Sequence, residues 1–541
     1  MSYSPFPGLS SDHYGVPFTE FITKDWTDAN GDLRDKVAMT DALTGQSRTF
    51  RDYYNDTGSI AAHLHDLGIT QDSTIALFSP NHVDYVPICL AAALCGAKLT
   101  PINPMYKVEE LQTVLSRSDS DVLIVHSAIM EVAMEAIKGT GVKHIITIPE
   151  EDGAPVPYGT MSVSDLKDHS RPIFETHRSV HNNTANHPFL LPYSSGTTGM
   201  PKGVSLSHSN LISNLLQLET IEAIAFPSNQ KLISPLPFFH IYGFLVSALY
   251  AVWQGQEVIT MARYDLNKFC QAVEKYQPNR AHLVPPIIIQ LAKNPIVDNY
   301  DLSSLNMIVS AAAPLSKETE QDLLDRIGCP VKQAWGMSEL SPIATFTSDF
   351  NIRSGSVGQL TSDTFGKIVD STGKSLGPGE TGELMIQGPQ VMMGYLNDPE
   401  KTAECLSEDG WLQTGDVAKY DNDGFFFITD RIKELIKVRG YPVAPAELEA
   451  LLLTHPKLSD AAVIPVPDEM SGELPRAYVS LKEGVAQDDV TEDDIKEFVK
   501  EKVAPFKRLE GGVKFIDQVP KSASGKILRR VLVDQVKAEQ G

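Results

Sequence analysis

The stretch Tyr193-Ser194-Ser195-Gly196-Thr197-Thr198-Gly199-Met200-Pro201-Lys202-Gly203 is the most informative part of the 541-residue chain. It places four hydroxyl residues and three glycines between positions 194 and 203, together with a lysine. Glycines let backbone N–H groups approach an anion closely, hydroxyl groups add hydrogen-bond donors, and the lysine supplies charge. The stretch therefore predicts a loop that binds a polyphosphate. It lacks the Gly-x-x-x-x-Gly-Lys-Ser/Thr spacing, so it is not a Walker loop.

On both sides of this loop, apolar runs of strand length alternate with amphipathic segments of helix length. This alternation is typical of α/β proteins with largely parallel sheets. The predicted strands include residues 74–78, 121–126, 144–148, 231–233 and 306–309. Residues 355–430 change to short β-rich segments with Gly-Pro punctuation, which predicts a smaller β subdomain. We expect residues 1–430 to form a large N-terminal domain of layered α/β sheets, and residues 431–541 a small, mobile α+β lid domain.

The charge balance limits the class of partner. The chain has 46 Lys+Arg and 69 Asp+Glu, so its formal net charge is −23. Such a surface repels phosphodiester backbones and anionic lipid headgroups, so we expect no nucleic-acid partner. A local cationic pocket for a small anion is still compatible with this sum. The five cysteines show no C-x-x-C spacing, which predicts reduced thiols in a reducing compartment.

The termini and one apolar stretch bear on location. The N-terminus lacks the basic and apolar segments of a secretory signal, and the C-terminus is not Ser-Lys-Leu, so we expect a cytoplasmic protein. Residues 232–253 contain no Asp, Glu, Lys or Arg and have the length of a bilayer span. Pro235, Pro237 and Gly243 interrupt them, which favours a buried strand, a loop and a core helix. We expect no transmembrane segment.

The phosphate loop resembles the signature of the adenylate-forming superfamily, which includes acyl-CoA synthetases, 4-coumarate:CoA ligases, beetle luciferases and peptide-synthetase adenylation domains. Four further segments follow in the order of that family. They are Gln333-Ala334-Trp335-Gly336-Met337-Ser338-Glu339, Gly410-Trp411-Leu412-Gln413-Thr414-Gly415-Asp416, Thr429-Asp430-Arg431-Ile432-Lys433-Glu434-Leu435-Ile436-Lys437 and Pro520-Lys521-Ser522-Ala523-Ser524-Gly525-Lys526. The likeness covers nearly the whole chain. It is strongest to the 4-coumarate:CoA ligase branch, through residues 191–195 and 239–242.

The resemblance implies an enzyme that uses ATP to convert a carboxylic acid to an acyl adenylate and then passes the acyl group to CoA. AMP and pyrophosphate are released. Lys526 would reach from the lid to the carboxylate and α-phosphate, and His240 would flank the carboxylate and the path of CoA. Glu339 would hold Mg²⁺, because a hard cation removes the repulsion between a carboxylate and a phosphate.

The resemblance also assigns binding positions for the two co-substrates, ATP and CoA. Asp416 would accept hydrogen bonds from the ribose hydroxyls, and Trp335, where many relatives have Tyr, would flank the adenine. The ATP- and AMP-binding positions are Ser194, Ser195, Gly196, Thr197, Thr198, Gly199, Lys202, Ala312, Trp335, Gly336, Ser338, Asp416, Arg431 and Lys433, the last also standing at the hinge. The CoA-binding positions are Lys437, Arg439 and Gly440. Pro442 stands where relatives commonly have Gln and carries no role.

The residues that resemble the acyl pocket are Tyr242, Val309, Ala311, Pro342 and Ile343. Hydroxycinnamate ligases often have Lys where Val309 stands and Gly where Ala311 stands. Valine cannot hydrogen-bond a phenol, and a buried unpaired hydroxyl costs roughly 1–3 kcal/mol. The pocket is therefore expected to be apolar and to suit a fatty, cinnamoyl-like or other aryl carboxylate, with weaker selectivity for 4-hydroxylated acids.

Other functions are compatible with the adenylation motifs. They are a fatty acyl-AMP ligase without CoA transfer, a luciferase-like oxygenase and a non-catalytic nucleotide-binding protein. An amino-acid-activating domain is disfavoured, because His240 stands where such enzymes place an Asp that pairs with the substrate ammonium. We expect a monomer or weak dimer whose partners are the small molecules named above.

Overall fold

The computed structural model describes residues 2–10, 16–24, 26, 35–169, 187–194, 202–439, 441–468, 470–522 and 525–540. The strands are β1 (Ser2–Tyr3), β2 (Val37–Asp41), β3 (Ser47–Thr49), β4 (Thr74–Phe78), β5 (Lys98–Ile102), β6 (Val122–His126), β7 (His144–Ile148), β8 (Met161–Ser162), β9 (Pro188–Leu190), β10 (Tyr193–Ser194), β11 (Lys202–Ser207), β12 (Lys231–Ser234), β13 (Glu257–Thr260), β14 (Arg280–Leu283), β15 (Met307–Ser310), β16 (Val331–Gly336), β17 (Ile343–Phe346), β18 (Gln359–Leu360), β19 (Phe365–Val369), β20 (Gly382–Gln387), β21 (Gly394–Tyr395), β22 (Leu412–Tyr420), β23 (Phe426–Arg431), β24 (Ile436–Val438), β25 (Tyr441–Val443), β26 (Leu458–Asp468), β27 (Gly472–Leu481) and β28 (Val513–Phe515).

The α-helices lie mostly between these strands. They are α1 (Phe18–Thr23), α2 (Phe50–Asp66), α3 (Tyr85–Leu94), α4 (Val108–Arg117), α5 (Met130–Ala136), α6 (Val163–Leu166), α7 (His208–Glu222), α8 (Tyr250–Trp253), α9 (Leu266–Tyr276), α10 (Pro285–Lys293), α11 (Lys317–Ile327), α12 (Pro399–Cys405), α13 (Pro445–Leu453), α14 (Glu492–Lys500) and α15 (Arg529–Gln540). A π-helix at Tyr242–Leu249 precedes α8.

The strands of the described residues form four sheets. The first sheet has the order β10-β11-β9-β5-β4-β6-β7-β8, with β21 also on β11, and the second has the order β18-β17-β16-β15-β14-β12-β13-β2-β3. A smaller sheet, β1-β19-β20-β22-β23, forms the β subdomain, and the lid sheet is β25-β24-β27-β26 with β28 on β27. The predicted α/β class, with a β subdomain and a small C-terminal domain, is confirmed. The boundary at residue 430 stays a prediction.

The central strands are buried apolar runs. β4 and β15 are buried along their whole length, and their neighbours on both sides run parallel to them. Strands of this kind need apolar residues on both faces, which explains why continuous runs identified them in the sequence. The predicted strands at 74–78 and 144–148 are confirmed to the residue, and those at 121–126, 231–233 and 306–309 within one position.

Residues 232–253 fold as predicted into the end of β12, a loop, the π-helix and α8. Asn81, which follows β4, ties this loop to both large sheets. Its amide nitrogen donates to the Leu236 carbonyl (2.8 Å) and to Thr260 Oγ1 (3.0 Å), and its oxygen accepts from the Phe238 N–H (2.7 Å). The loop that carries His240 is thereby fixed. In the part of the chain that the structure describes, none of the helices has both the length and the apolar character to cross a bilayer.

The lid has its own apolar core, built from buried residues between positions 436 and 513. Its helix α13 begins after Ala444, whose side chain offers no capping group. The cap comes instead from Asp430, at the end of β23, whose Oδ2 accepts from the Ala446 N–H (2.9 Å). A carboxylate at this position stabilises the helix N-terminus. Asp430 thus joins the β subdomain to the lid.

Candidate active site

The phosphate loop begins and ends on adjacent strands. β10 and β11 pair antiparallel, with Tyr193 opposite Gly203 and Ser194 opposite Lys202. The chain therefore leaves and re-enters the first sheet at neighbouring positions, and Lys202 lies at the root of the loop. The predictions for Ser195, Gly196, Thr197, Thr198 and Gly199, and for the side chain of Ser194, lie outside the described residues.

Three residues predicted to bind the nucleoside meet at Asp416. This carboxylate is 3% exposed, accepts a hydrogen bond from Trp335 Nε1 (2.8 Å) and forms an ion pair with Arg431 Nε (3.0 Å). Asp416 and Arg431 are register partners on β22 and β23. Burial raises the pKa of Asp416, and the Arg431 charge opposes that shift. The two carboxylate oxygens of Asp416 are hydrogen-bond acceptors that lie beside the Trp335 indole. This arrangement is suited to binding a ribose and an adenine.

The turn after β16 carries Ser338 and Glu339 on a short 3₁₀ segment, Ser338–Leu340. Gly336 is required where this turn begins, because a Cβ there would lie 1.9 Å from the Pro342 carbonyl oxygen. Ala312, on the loop after β15, has φ +74°. This left-handed backbone is strained for a residue with a Cβ, and such strain is concentrated at functional sites.

Glu339 is 5% exposed and accepts a hydrogen bond from the Tyr395 hydroxyl (2.9 Å). Among the residues that the structure describes, there is no group of three or more His, Cys, Asp or Glu that could hold a metal. Mg²⁺ in nucleotide enzymes is usually held by one or two carboxylates together with substrate phosphates and water. The single buried carboxylate of Glu339, near the root of the predicted phosphate loop, therefore fits a Mg²⁺ ion that would be shared with a nucleotide.

Lys526 enters this site from the lid. Its loop lies against α10, since a Cβ on the neighbouring Gly525 would lie 3.1 Å from Pro286 Cδ. Burial lowers the pKa of the Lys526 ammonium, Arg431 lowers it further, and Asp416 and Glu339 act in the opposite direction. The charges of the residues predicted to bind the nucleotide and the metal thus influence the lid lysine.

His240 lies on the loop between β12 and the π-helix. Burial lowers the pKa of His240 to about 3, and the Lys526 charge adds to the effect. The imidazole is therefore neutral at pH 7. Its Nδ1 accepts from the Tyr242 N–H (3.3 Å), which fixes the ring at the start of the π-helix.

The lowered pKa of Lys526 predicts a pH dependence. The ammonium is lost as the pH rises through its lowered pKa, so adenylation should fall on the alkaline side at a pH below the ordinary 10.5. The measurement is kcat/KM for ATP against pH, which reports ionisations of the free enzyme. In the Lys526→Arg variant the guanidinium stays charged, so any residual activity should lack this alkaline decline. The same alkaline midpoint in both proteins would contradict the assignment.

The residues predicted to line the acyl pocket lie together in the core. Tyr242, Val309, Ala311 and Ile343 are at most 6% exposed, and Pro342 is buried as well. The Tyr242 hydroxyl donates to the Val309 carbonyl (3.1 Å), which joins the π-helix to β15. A π-helical segment widens the backbone locally and is frequent at functional sites.

Several buried polar residues near Tyr242 and Val309 were not predicted from the sequence. His282 stacks on Tyr242 (6.1 Å between ring centroids) and its Nδ1 hydrogen-bonds Ser247 Oγ (3.1 Å). In register, His282 lies opposite Val309 on the next strand. A further cluster, which we call the buried tetrad, pairs Arg280 and Lys332 with both Glu222 and Asp349. Arg280 and Lys332 lie on β14 and β16, neither of which is among the strands predicted above.

The predicted CoA-binding residues lie apart from these groups. Lys437 and Arg439 are exposed on the lid, and their contacts are within the lid: the Lys437 N–H donates to Glu473 Oε2 (2.8 Å) and Arg439 Nε to Ser471 Oγ (3.2 Å). Lys433, at the predicted hinge, is also exposed. Gly440 and the side chain of Pro442 lie outside the described residues.

Comparison with known proteins gives consistent matches. A family profile described as AMP-binding enzyme matches residues 26–396, and one described as AMP-binding enzyme C-terminal domain matches residues 447–526. A probable 4-coumarate–CoA ligase 3 of Dictyostelium discoideum is 38% identical over 92% of each chain. A peroxisomal OPC-8:0-CoA ligase 1 of Arabidopsis thaliana is 38% identical over 92% of this chain and 90% of its own. The anthranilate CoA ligase AuaEII with anthranoyl-AMP has the same fold, with a TM-score of 0.88 at 24% identity over 97% of this chain and 98% of its own.

Proposed function

Since the chain belongs to the AMP-binding enzyme family, we propose that it is an ATP-dependent acid–CoA ligase that acts through an acyl adenylate. The observation that carries this proposal is the contact of buried Asp416 with Trp335 and Arg431. The loop of Lys526 packs against α10, which brings the lysine charge within electrostatic range of Asp416, Glu339 and His240. The match to an enzyme family over most of the chain disfavours a nucleotide-binding protein without catalysis. The substrate is an apolar or aryl carboxylic acid, either cinnamate-like or fatty.

In the first half-reaction the substrate carboxylate attacks the α-phosphate of ATP, the bond to the β-phosphate breaks, and pyrophosphate leaves. Lys526 stabilises the negative charge that develops on the attacked α-phosphate and orients the carboxylate that attacks it. Trp335 and Asp416 orient the nucleoside, so that the α-phosphate lies beside the acyl pocket. Neutral His240 offers the polar edge of its ring and adds no second positive charge to that of Lys526.

In the second half-reaction the CoA thiol attacks the acyl carbonyl carbon, and AMP leaves with the bonding electron pair. We assign Lys437, Arg439 and Gly440 to CoA, because two cations beside a glycine suit an anionic cofactor with a narrow pantetheine arm. The exposure of Lys437 and Arg439 on the lid supports this assignment. Glu339 would hold Mg²⁺, which when bound neutralises charge on the ATP phosphates.

The composition of the acyl pocket predicts a preference. We expect kcat/KM for cinnamate to exceed that for 4-coumarate by about 5- to 150-fold, the equivalent of leaving a buried hydroxyl unpaired. The Val309→Thr variant has a similar volume and adds a hydroxyl, so it should bring the kcat/KM values for cinnamate and 4-coumarate closer together. Comparable values for the two acids in the wild type would contradict the prediction and would identify another buried partner for the phenol, with His282 the nearest by register.

The function itself is tested with a panel of carboxylic acids, ATP, Mg²⁺ and CoA, with thioester detected by mass spectrometry. Pyrophosphate release is measured with and without CoA. Thioester formation with an apolar acid is the expected result. Pyrophosphate release without any thioester would favour a fatty acyl-AMP ligase or a luciferase-like enzyme, and no release with any acid would favour a binding protein.

We place the enzyme in the cytoplasm. All five cysteines are free, and Cys89, Cys95, Cys270 and Cys329 are buried. Burial raises the pKa of the Cys95 and Cys329 thiols to about 12, which keeps them inert. Free thiols are the rule in reducing compartments. A monomer or weak dimer stays a prediction.

A further inference from the structure

Tyr395 contacts both the phosphate-loop lysine and the carboxylate proposed for the metal. Its hydroxyl donates to Glu339 Oε1 (2.9 Å), and the Lys202 ammonium lies 4.8 Å from the centre of its ring. The two contacts use different parts of the side chain, the phenol oxygen and the π face. One aromatic residue therefore fixes a carboxylate and a cation at the same time.

The backbone around Tyr395 is attached to the same two elements. Tyr395 is the register partner of Val204 on β11, and the next residue, Leu396, donates its N–H to the Gly203 carbonyl (2.8 Å). Three residues before Tyr395, the Met392 N–H donates to the Glu339 carbonyl (2.9 Å). The segment 392–396 is thus held between the root of the phosphate loop and the Glu339 turn.

We infer that Tyr395 is a positioning residue that orients Glu339 toward metal-bound ATP while it holds the Lys202 ammonium at the phosphate loop. The inference rests on the proposed function, since ATP and Mg²⁺ are the ligands concerned. A carboxylate and an ammonium at the same site attract each other, and a direct ion pair would compete with both the metal and the phosphates. The Tyr395 ring contacts the Lys202 ammonium, and the Tyr395 hydroxyl contacts one oxygen of Glu339, so each charged group keeps its own orientation.

The two contacts can be separated by two variants. Tyr395→Phe removes the hydroxyl and keeps the ring, whereas Tyr395→Leu removes both. Tyr420→Phe is the matched control, because Tyr420, on β22 of the β subdomain, stacks on Phe426 (5.5 Å) with its hydroxyl near the Leu376 carbonyl (3.5 Å).

The experiment measures binding without turnover. Mn²⁺, as a probe for Mg²⁺, is titrated against the full-length protein saturated with a non-hydrolysable ATP analogue, and its free fraction is read by electron paramagnetic resonance. Tyr395→Phe should weaken metal binding about tenfold, as expected for the loss of a hydrogen bond to a charged group. Its thermal midpoint should fall by no more than a few degrees, because the chain is large. Tyr395→Leu should in addition weaken binding of the metal-free analogue, measured by calorimetry.

The outcomes separate this inference from the proposed function. Wild-type metal affinity in Tyr395→Phe, or an equal loss in Tyr420→Phe, overturns the positioning role even if the wild type makes thioester. A tenfold loss confined to the Tyr395 variants, in a protein that makes no thioester with any acid, overturns the proposed function and leaves the positioning role in place.

Discussion

Replacing Lys526 with alanine should slow acyl-AMP formation by about 100- to 1000-fold, the range found when one preorganised group that stabilises developing charge is removed. The lid loop lies against Pro286, and the Lys526 pKa responds to Asp416 and Glu339. Because the ammonium acts mainly on the charge that forms during the reaction, the rate should fall more than the affinity for ATP. The measurement is single-turnover pyrophosphate release with acid and ATP in the absence of CoA.

The matched control is Lys521→Ala, in the same loop. Lys521 pairs with Asp460 (2.6 Å), which is a contact inside the lid. This variant should retain adenylation at about the wild-type rate. Full adenylation by Lys526→Ala would refute the proposed mechanism.

The second large effect concerns stability. Lys332→Met should lower the free energy of unfolding by about 3–5 kcal/mol, the usual result of removing one member of a buried ionic group. The Lys332 side chain is fully buried and pairs with Glu222 and Asp349. Methionine keeps most of the volume but leaves the two carboxylates with Arg280 as their remaining cation in the tetrad. Urea unfolding followed by tryptophan fluorescence measures the change, with each transition of this multidomain chain fitted separately.

Lys231→Met is the control for this variant. Lys231 lies on β12, which β14 and β15 separate from β16, and pairs with Glu257 (3.0 Å) while its side chain stays 40% exposed. An exposed pair contributes about 0–1 kcal/mol, so the control should lose little. Equal unfolding midpoints for Lys332→Met and the wild type would show that the tetrad does not stabilise the fold.

The buried strands could be predicted from the sequence, whereas the contacts of the buried tetrad and of Tyr395 could not. β4 and β7 are predictable because parallel strands covered on both faces are uniformly apolar, and no other pattern competes with that signal. The ion pairs of the buried tetrad could not be predicted from the sequence. Glu222 and Lys332 are brought together by the packing of the end of α7 on β16, not by their spacing along the chain. Tyr395 was missed for the same reason: 56 positions separate it from Glu339.

The active site also has a part that the sequence predicts and a part that it does not. The motifs identify Trp335, Asp416, Arg431 and Glu339 by their order along the chain, but they give no contact between them. The indole–carboxylate hydrogen bond of Trp335 and Asp416 depends on where the β subdomain packs on the second sheet. A motif predicts which residue is present, and tertiary packing decides which atoms it can reach.

The helix cap supplied by Asp430 sets a rule for exchanging lids between relatives. A chimera joined after residue 430 would keep the Asp430 of one parent and take α13 from the other, so that the cap and the helix would come from sequences never selected together. A junction placed before β23 would transfer both at once. Fragments of this protein that begin at residue 431 should likewise have a frayed first turn, whereas those that begin before Phe426 should not.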